Sequence, residues 1–225
     1  MLIPTPLNIT IFWNFGFILG LSLICQLISG ILLALVYGVT DSIFTNLIFI
    51  IESYKGAWLI RFIHSNGASL FFVIIYIHIG RGLYYKSFFK KKTWLTGALL
   101  LVSVMAVAFL GYVIPINQIS FWGASVITNL FREIPVFGPN IVTLIWGGAS
   151  VTKVTVNRFF CLHFLLPFIV LFLVLLHIFF LHEKGSRNSI GLERTPVKLR
   201  FSIFSIKKDI FFFFLFYCVF ICVIV

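Results

Sequence analysis

The sequence predicts an all-α membrane protein: a four-helix transmembrane bundle, a fifth transmembrane helix, and short interfacial helices between spans three and four. Of its 225 residues, 61% are hydrophobic and 10% are charged, and the mean hydropathy is +1.13. A soluble domain carries about 25% charged residues. The apolar runs are long enough to cross a hydrocarbon core of about 30 Å as helices, and they are too continuous for the strands of a barrel.

Five apolar runs define the candidate spans. They cover about residues 11–37, 57–85, 94–114, 157–182 and 210–225. The first four spans belong to the bundle, which we place in a domain of residues 1–192. A loop and the fifth span form the remainder, 193–225.

The segment from residue 115 to residue 156 is too long for a tight turn and too apolar for a solvated loop. Two short helices are expected in it, Ser120–Phe131 and Asn140–Trp146, with two prolines and a glycine between them. They are predicted to lie on one membrane face, because neither is long enough to cross the bilayer.

Basic residues are concentrated in the loops after the second and fourth spans, residues 86–93 and 184–208. Basic loops stay on the side from which a protein is inserted, so these loops and the N-terminus are expected on the cytoplasmic or matrix side. No secretory leader is expected, because the first residues lack a basic flank and a small-residue cleavage site. Charges beside spans favour contact with anionic lipid or partner subunits, and no nucleic acid is expected.

Histidines occur at the same spacing in two spans. His64 and His78 are fourteen residues apart in the second span, as are His163 and His177 in the fourth. Fourteen helical residues cover about 21 Å and bring both side chains to within roughly 40° of one face. Because the two spans run in the same direction, His64 should lie level with His163, and His78 level with His177. We call His64 and His163 the outer pair, and His78 and His177, nearer the basic face, the inner pair.

The number and depth of the four histidines indicate which kind of site they form. A single histidine in a span could be an interhelical hydrogen-bonding group or part of a proton relay, but four at matched depths favour metal ligation. Zinc normally takes four ligands. A porphyrin supplies four nitrogens and leaves two axial positions for imidazoles. The bundle is therefore predicted to be a haem-binding four-helix bundle with two haems.

Glycines in the first and third spans repeat the spacing of the histidines. Gly16 and Gly30 are fourteen residues apart, and so are Gly97 and Gly111. Gly30 and Gly111 are expected near the outer pair and the other two near the inner pair, where a missing side chain lets a flat macrocycle approach the helix. Small-residue packing between membrane helices is the alternative.

Two arginines flank the histidines of the second span by one helical turn. Arg61 lies three residues before His64, and Arg81 lies three residues after His78. Both could pair with haem propionates, and interfacial snorkelling is the alternative. The chain has no Cys-x-x-Cys-His motif, so we expect non-covalent haem and cysteines that act as apolar filler.

Several motifs resemble those of mitochondrial cytochrome b, the central subunit of quinol–cytochrome c reductase, and together they cover nearly the whole chain. The second span contains Trp58-Leu-Ile-Arg-Phe-Ile-His64-Ser-Asn-Gly-Ala-Ser69 and His78-Ile-Gly-Arg-Gly-Leu-Tyr-Tyr85. Ala108-Phe-Leu-Gly-Tyr-Val113 and Ser120-Phe-Trp-Gly-Ala-Ser-Val-Ile-Thr-Asn-Leu130 follow. The match is completed by Trp146-Gly-Gly148, Arg158-Phe-Phe160, His163-Phe-Leu-Leu-Pro167 and His177-Ile-Phe-Phe-Leu-His-Glu-Lys-Gly-Ser186.

The resemblance implies a role for each matching residue. The outer pair would ligate the low-potential haem on the intermembrane side, and the inner pair the high-potential haem on the matrix side. The other implied haem-binding residues are Gly16, Gly30, Gly97, Gly111, Arg61, Arg81 and Trp94. The implied quinone-reduction site contains His182, Ser186 and Asp209, and the implied quinol-oxidation pocket contains Phe109, Tyr112, Trp122, Gly123 and Ile127.

The sequence departs from the family pattern in three places. Ile116-Asn117-Gln118 follows Pro115 where the family usually has Trp-Gly-Gln, so Asn117 is expected to add bulk beside the oxidation pocket. Gly185-Ser186-Arg187-Asn188 stands in place of Gly-Ser-Asn-Asn. The family's later Pro-Glu-Trp-Tyr motif, whose glutamate is thought to accept a proton from quinol, does not occur in these 225 residues. Glu133 is expected to be a solvated charge, and a separate chain is expected to supply the later helices.

The implied function is that of the cytochrome b subunit of complex III, the ubiquinol–cytochrome c reductase. Electrons would pass from the quinol-oxidation site through two b haems to the quinone-reduction site, with coupled proton translocation. The implied partners are the Rieske iron–sulfur protein, cytochrome c1 and a second copy in a homodimeric complex, besides membrane lipid. The implied location is the mitochondrial inner membrane, with a bacterial plasma membrane as the alternative. A non-catalytic, haem-holding structural subunit is the alternative function, but such a scaffold has no use for His182 with Asp209.

Overall fold

The computed structural model describes residues 4–6, 9–38, 43–186, 198–200 and 203–224, and most of them are helical. The α-helices are α1 (Phe15–Ala34), α2 (Ile43–Ser53), α3 (Ala57–Tyr84), α4 (Lys91–Val113), α5 (Gln118–Asn129), α6 (Gly138–Trp146), α7 (Lys153–Lys184) and α8 (Ile203–Ile224). Single 3-10 turns cover Ile11–Trp13, Ser87–Phe89 and Leu130–Glu133. Two three-residue strands, β1 (Pro4–Pro6) and β2 (Lys198–Arg200), pair in antiparallel orientation.

Four helical segments of the described chain are long and apolar enough to cross a membrane. They are Ile11–Ala34, Ala57–Tyr84, Lys91–Val113 and Lys153–Glu183. The first four predicted spans are therefore confirmed, with boundaries that move by a few residues. The predicted fifth span falls within α8, whose 22 residues would extend about 33 Å, and Val225 lies outside the described residues.

The segment between α4 and α7 forms the two short helices that the sequence predicts. Asn117 is the N-cap of α5, because its side-chain oxygen accepts a hydrogen bond of 2.8 Å from the Ser120 amide. The side chain of Asn117 therefore turns back onto the first turn of α5, where it caps an amide that has no partner within the helix. At the other end of the segment, Gly147 adopts a left-handed φ of 75° and donates its N–H to the Thr143 carbonyl at 2.8 Å, which ends α6.

Helix α2 is not predicted by the span pattern, because its eleven residues are too few to cross a bilayer. It lies between the first two spans and buries Ile43 and Ile50.

The described chain forms two compact units. The first comprises Met1–Ile28, Ile63–Val102 and Val170–Val225, and the second comprises Ser29–Phe62 and Ser103–Ile169. In the first unit, Ile18 of α1 packs with Leu70 and Ile74 of α3, and phenylalanines of α8 cover this cluster. The domain boundary predicted near residue 192 lies outside the described residues.

The second unit is organised around Trp146 at the end of α6. The indole N–H donates to the Thr128 hydroxyl at 2.7 Å, and the Thr155 hydroxyl donates to the Trp146 carbonyl at 2.7 Å. These bonds connect α5, α6 and α7. Side chains from α4 to α7 surround Trp146, including Leu110, Val113, Ala124, Val142 and Phe159.

Candidate haem and quinone sites

The inner pair of histidines is brought together within the first unit. His78 of α3 and His177 of α7 have ring centroids 6.4 Å apart, with an angle of 56° between the ring planes. A bond from a metal to an imidazole nitrogen is about 2.1 Å long, and the nitrogen lies roughly 1.15 Å from the centroid of a ring with bonds near 1.35 Å. A metal midway between two imidazoles thus needs centroids about 6.5 Å apart, so this pair fits two axial ligands of one iron.

The second ring nitrogen of two of the histidines has a polar partner. His177 Nδ1 lies 3.1 Å from the Thr96 hydroxyl oxygen. His163 Nδ1 lies 2.9 Å from the Val107 carbonyl oxygen, which can only accept, so Nδ1 carries the proton and Nε2 is the unprotonated ring nitrogen. Metal-ligating histidines commonly show this arrangement, because a bond at one nitrogen fixes the ring orientation and the tautomer.

Three of the predicted glycines lie directly against histidine rings. A Cβ built on Gly16 would lie 3.1 Å from His78 Cε1, and one built on Gly97 would lie 3.2 Å from His177 Cε1. In the second unit, a Cβ on Gly111 would lie 2.5 Å from His163 Cε1 and within 3.1 Å of both ring nitrogens. The absence of a side chain at these positions therefore leaves room for the imidazoles in this structure.

Arg81 is held beside the inner pair without a carboxylate partner among the described residues. Its guanidinium lies over the Trp13 ring at 5.4 Å, and Nη2 makes a long contact of 3.4 Å with His78 Nδ1. Its Nε is buried and has no hydrogen-bond partner. A buried guanidinium with an unsatisfied N–H requires an acceptor, and the carboxylate of a haem propionate has the chemistry to supply one.

For the remaining predicted haem-binding residues, the structure shows burial or aromatic packing but no contact with a histidine ring. Trp94 packs at the start of α4 against Phe88, with ring centroids 6.1 Å apart. Arg61 and Gly30 belong to the second unit and are half-buried. His64 belongs to the first unit and His163 to the second, so the pairing of His64 with His163 stays a prediction.

The predicted quinone-reduction residues lie at the end of α7 and near the start of α8, in the first unit. His182 is exposed, Ser186 is half-buried, and Asp209 is 9% exposed. Burial raises the pKa of Asp209 to about 6, and the neighbouring Lys208 opposes this rise. The end of α7 is tied to the start of α4, because Lys92 pairs with Glu183 at 3.4 Å and Lys90 donates to the Gly185 carbonyl. Arg187 and Asn188 lie outside the described residues.

The predicted quinol-oxidation residues lie on α4 and α5, in the second unit. Tyr112 contacts Gly123, where a Cβ would lie 3.2 Å from the tyrosine Cε1. Phe109 packs against Phe159 with centroids 6.0 Å apart. Tyr112, Trp122 and Ile127 are exposed in this chain, and so is Glu133 beyond the end of α5.

A protein-family model matches most of the chain. The family described as cytochrome b/b6/petB matches residues 1–185. The chain belongs to the cytochrome b family.

Two relatives show how far the similarity to other cytochromes b extends. The chain is 50% identical over 223 residues to the cytochrome b of Paraspadella gotoi. The matched region covers 97% of this chain and 59% of that protein. It is similar to a chain of a hyperthermophilic respiratory complex III, with a TM-score of 0.88 and 29% identity over 98% of this chain and 61% of that chain. The predicted fold class is thus confirmed, and the chain spans about three fifths of the length of these relatives.

The polar groups that contact the site residues or their neighbours differ in how clearly the sequence marks them. The Val107 carbonyl carries no sequence signal, because every residue has one. Thr96 could have been noticed as a hydroxyl next to Gly97 in an apolar span. Gln26, an amide in the middle of α1 that donates to the Ile63 carbonyl next to His64, has the clearest signal, since an uncharged polar group in a span needs a hydrogen-bonding partner.

Proposed function

We propose that this chain is the haem-carrying part of a cytochrome b that acts as a subunit of a quinol–cytochrome c oxidoreductase. The observation that carries the proposal is the inner pair, whose rings on α3 and α7 are spaced at 6.4 Å for one shared metal. The buried, unsatisfied Nε of Arg81 beside that pair adds a cationic partner for a propionate. A haem-holding structural subunit would share this combination, so the catalytic role is supported separately by His182 and the buried Asp209.

Two non-covalent b haems are proposed, one at each histidine pair. Haem would supply one-electron transfer at these sites, with His78 and His177 holding one group and His64 and His163 the other. The Thr96 hydroxyl and the Val107 carbonyl hold the imidazoles of His177 and His163 in fixed orientations. Arg81 would bind a propionate of the inner haem, and Arg61 would have the same role at the outer one.

Quinone reduction is proposed at the end of α7. His182 can donate a hydrogen bond to one quinone carbonyl, and the Ser186 hydroxyl can donate another. Asp209 has a pKa of about 6, so part of its population carries a proton near neutral pH that it can transfer to a reduced quinone oxygen. Lys92 pairs with Glu183, and Lys90 donates to the Gly185 carbonyl, so the backbone between His182 and Ser186 is connected to the start of α4.

Quinol oxidation is proposed on the face formed by α4 and α5. The exposed rings of Tyr112 and Trp122 and the side chain of Ile127 supply an apolar surface for a quinol ring. The Rieske iron–sulfur protein, cytochrome c1 and a second copy of this subunit are the proposed partners. The mitochondrial inner membrane, with the N-terminus on the matrix side, is the proposed location, as the basic loops favour.

Replacement of an inner histidine tests the ligand assignment. His177→Leu in the intact complex should abolish the inner haem and leave the outer one at least partly occupied. Reduced-minus-oxidised difference spectra, resolved by potential, measure each haem separately. Retention of both haems in their wild-type ratio would contradict the assignment.

Replacement of His182 tests the quinone site independently of the haems. His182→Ala should keep both haems and slow the re-oxidation of the inner haem by quinone, measured by stopped-flow absorbance. Unchanged kinetics in a complex with full haem content would remove His182 from the site. Phe179→Ala, at another exposed position of α7, is the matched control.

A further inference from the structure

We propose that Gln26 of α1 is a positioning residue for the turn of α3 that carries His64, and that it acts through a notch left open by Gly67. The inference rests on the proposed function, because it takes His64 as a ligand of the outer haem. All of the contacts that support it lie within the first unit.

The notch is defined by two contacts of the Gln26 amide. Its Nε2 donates a hydrogen bond of 3.5 Å to the Ile63 carbonyl, one residue before His64. The same Nε2 occupies the position next to Gly67 where a side chain would begin, and Gln26 Cδ lies 3.5 Å from that point. Gly67 is buried, so the amide fills the space that a side chain would otherwise take.

Helix geometry explains why a glycine is needed at this position. Within α3 the Ile63 carbonyl accepts the Gly67 N–H four residues later, and a carbonyl oxygen has a second lone pair for another donor. A side chain on residue 67 would cover that oxygen from the side of α1. With glycine there, the Gln26 amide reaches the backbone, and a polar group that would be costly in an apolar span is satisfied.

The consequence concerns the orientation of His64. The His64 side chain leaves α3 from the turn between the two residues that Gln26 contacts, so the amide fixes the rotation and height of this turn relative to α1. Hydrogen bonds and orientation around axial ligands are among the means by which a protein sets the potential of a haem. Gln26 therefore influences the outer haem through His64, without being a ligand itself.

The test uses two substitutions that empty or block the notch. Gln26→Leu removes the donor and keeps an apolar side chain of similar size, whereas Gly67→Ala places a methyl group where the amide lies. Redox titration and electron paramagnetic resonance of the intact complex report on each haem. Both variants should shift the midpoint potential and the g-values of the outer haem and leave those of the inner haem at the wild-type values.

The matched control is Gly80→Ala. Gly80 lies in the same helix α3, and a Cβ there would meet no atom within 4 Å. It should leave the outer haem at its wild-type potential. A shift equal to that of Gly67→Ala would show that any added methyl in α3 has the effect, and would overturn the proposal.

A double-mutant cycle tests whether the two residues act on each other. In a Gln26→Ala background the added methyl of Gly67→Ala enters vacated space, so it should shift the outer haem much less than in the wild type. Equal shifts in both backgrounds would contradict the notch. If Gly67→Ala prevents assembly, Gln26→Leu decides the question by the same potential measurement, and a wild-type potential overturns the proposal.

One further variant separates this inference from the proposed function. His64→Leu should abolish the outer haem, and its retention would overturn the ligand assignment itself. Loss of the outer haem in His64→Leu together with wild-type potentials in both notch variants would overturn the role of Gln26 alone.

Discussion

Gly111→Ala is expected to disrupt the outer haem more severely than the equivalent substitutions disrupt the inner one. A Cβ at residue 111 would lie 2.5 Å from His163 Cε1, compared with 3.2 Å between a Cβ at residue 97 and His177 Cε1. Carbon atoms in contact prefer separations of about 3.5–4.0 Å. The His163 ring must therefore move by about 1 Å, whereas the His177 ring needs to move only a few tenths of an ångström.

The energetic consequences differ in size at the two glycines. Overpacking costs about 1–3 kcal/mol, and a displacement of that size also breaks the 2.9 Å bond between His163 Nδ1 and the Val107 carbonyl, which is worth about 1 kcal/mol. Alanine gains roughly 1 kcal/mol over glycine in a helix interior. Gly111→Ala should thus be destabilising by about 1–3 kcal/mol, while Gly97→Ala should be close to neutral.

The assay is the haem content of the purified complex, resolved by potential in reduced-minus-oxidised spectra. Gly111→Ala should lose most of the outer haem, and Gly97→Ala should retain both haems with at most a shifted inner band. Gly20→Ala, where a Cβ would meet nothing within 4 Å, should be indistinguishable from the wild type. The reasoning is refuted if Gly111→Ala keeps the outer haem at full occupancy, or if Gly97→Ala is the more severe change.

Three further predictions concern the connecting segment and the basic face. Asn117→Ala should lower the free energy of unfolding by about 1 kcal/mol and Asn117→Gly by only a few tenths, measured by thermal inactivation of the complex; equal losses would contradict the capping role. Gly138→Ala should prevent the turn before α6 from closing, because a Cβ would overlap the Arg132 carbonyl. At Gly148 a Cβ would meet no atom within 4 Å, so Gly148→Ala should be tolerated. The yields of assembled complex from the two variants check this prediction. Because burial raises the pKa of Asp209 to about 6, its proton is lost as the pH rises, so re-oxidation of the inner haem should slow above about pH 6. Asp209→Asn should remove that pH dependence, and an unchanged profile would exclude Asp209 as the donor.

The elements that could be predicted are those whose signal is local. The first four spans are long apolar runs, and any helix in lipid must satisfy its own backbone, so composition and length predict them within a few residues. Helix α6 ends at Gly147 and α7 is followed by Gly185, both with a left-handed φ, and glycine at these positions is a local signal too. Helix α2 was missed because a short apolar run does not by itself distinguish a helix from a loop.

The candidate site divides in the same way. The fourteen-residue spacing determined that His64 and His78 lie about 21 Å apart along α3, because helix geometry converts spacing along the chain into distance along the axis without reference to the rest of the chain. Sequence alone did not show that Asn117 caps α5 instead of projecting from it, since the choice depends on where the Ser120 amide lies.

The amino-acid sequence by itself determined the first four membrane-spanning helices, the spacing of the histidines along their helices and the membership of the family. The tertiary structure alone decided that His78 and His177 approach to 6.4 Å, that the Val107 carbonyl orients His163, and that Gln26 occupies the Gly67 notch. The physical reason is that spacing along a helix fixes height and face, whereas the distance between helices depends on how side chains from separate parts of the chain pack together.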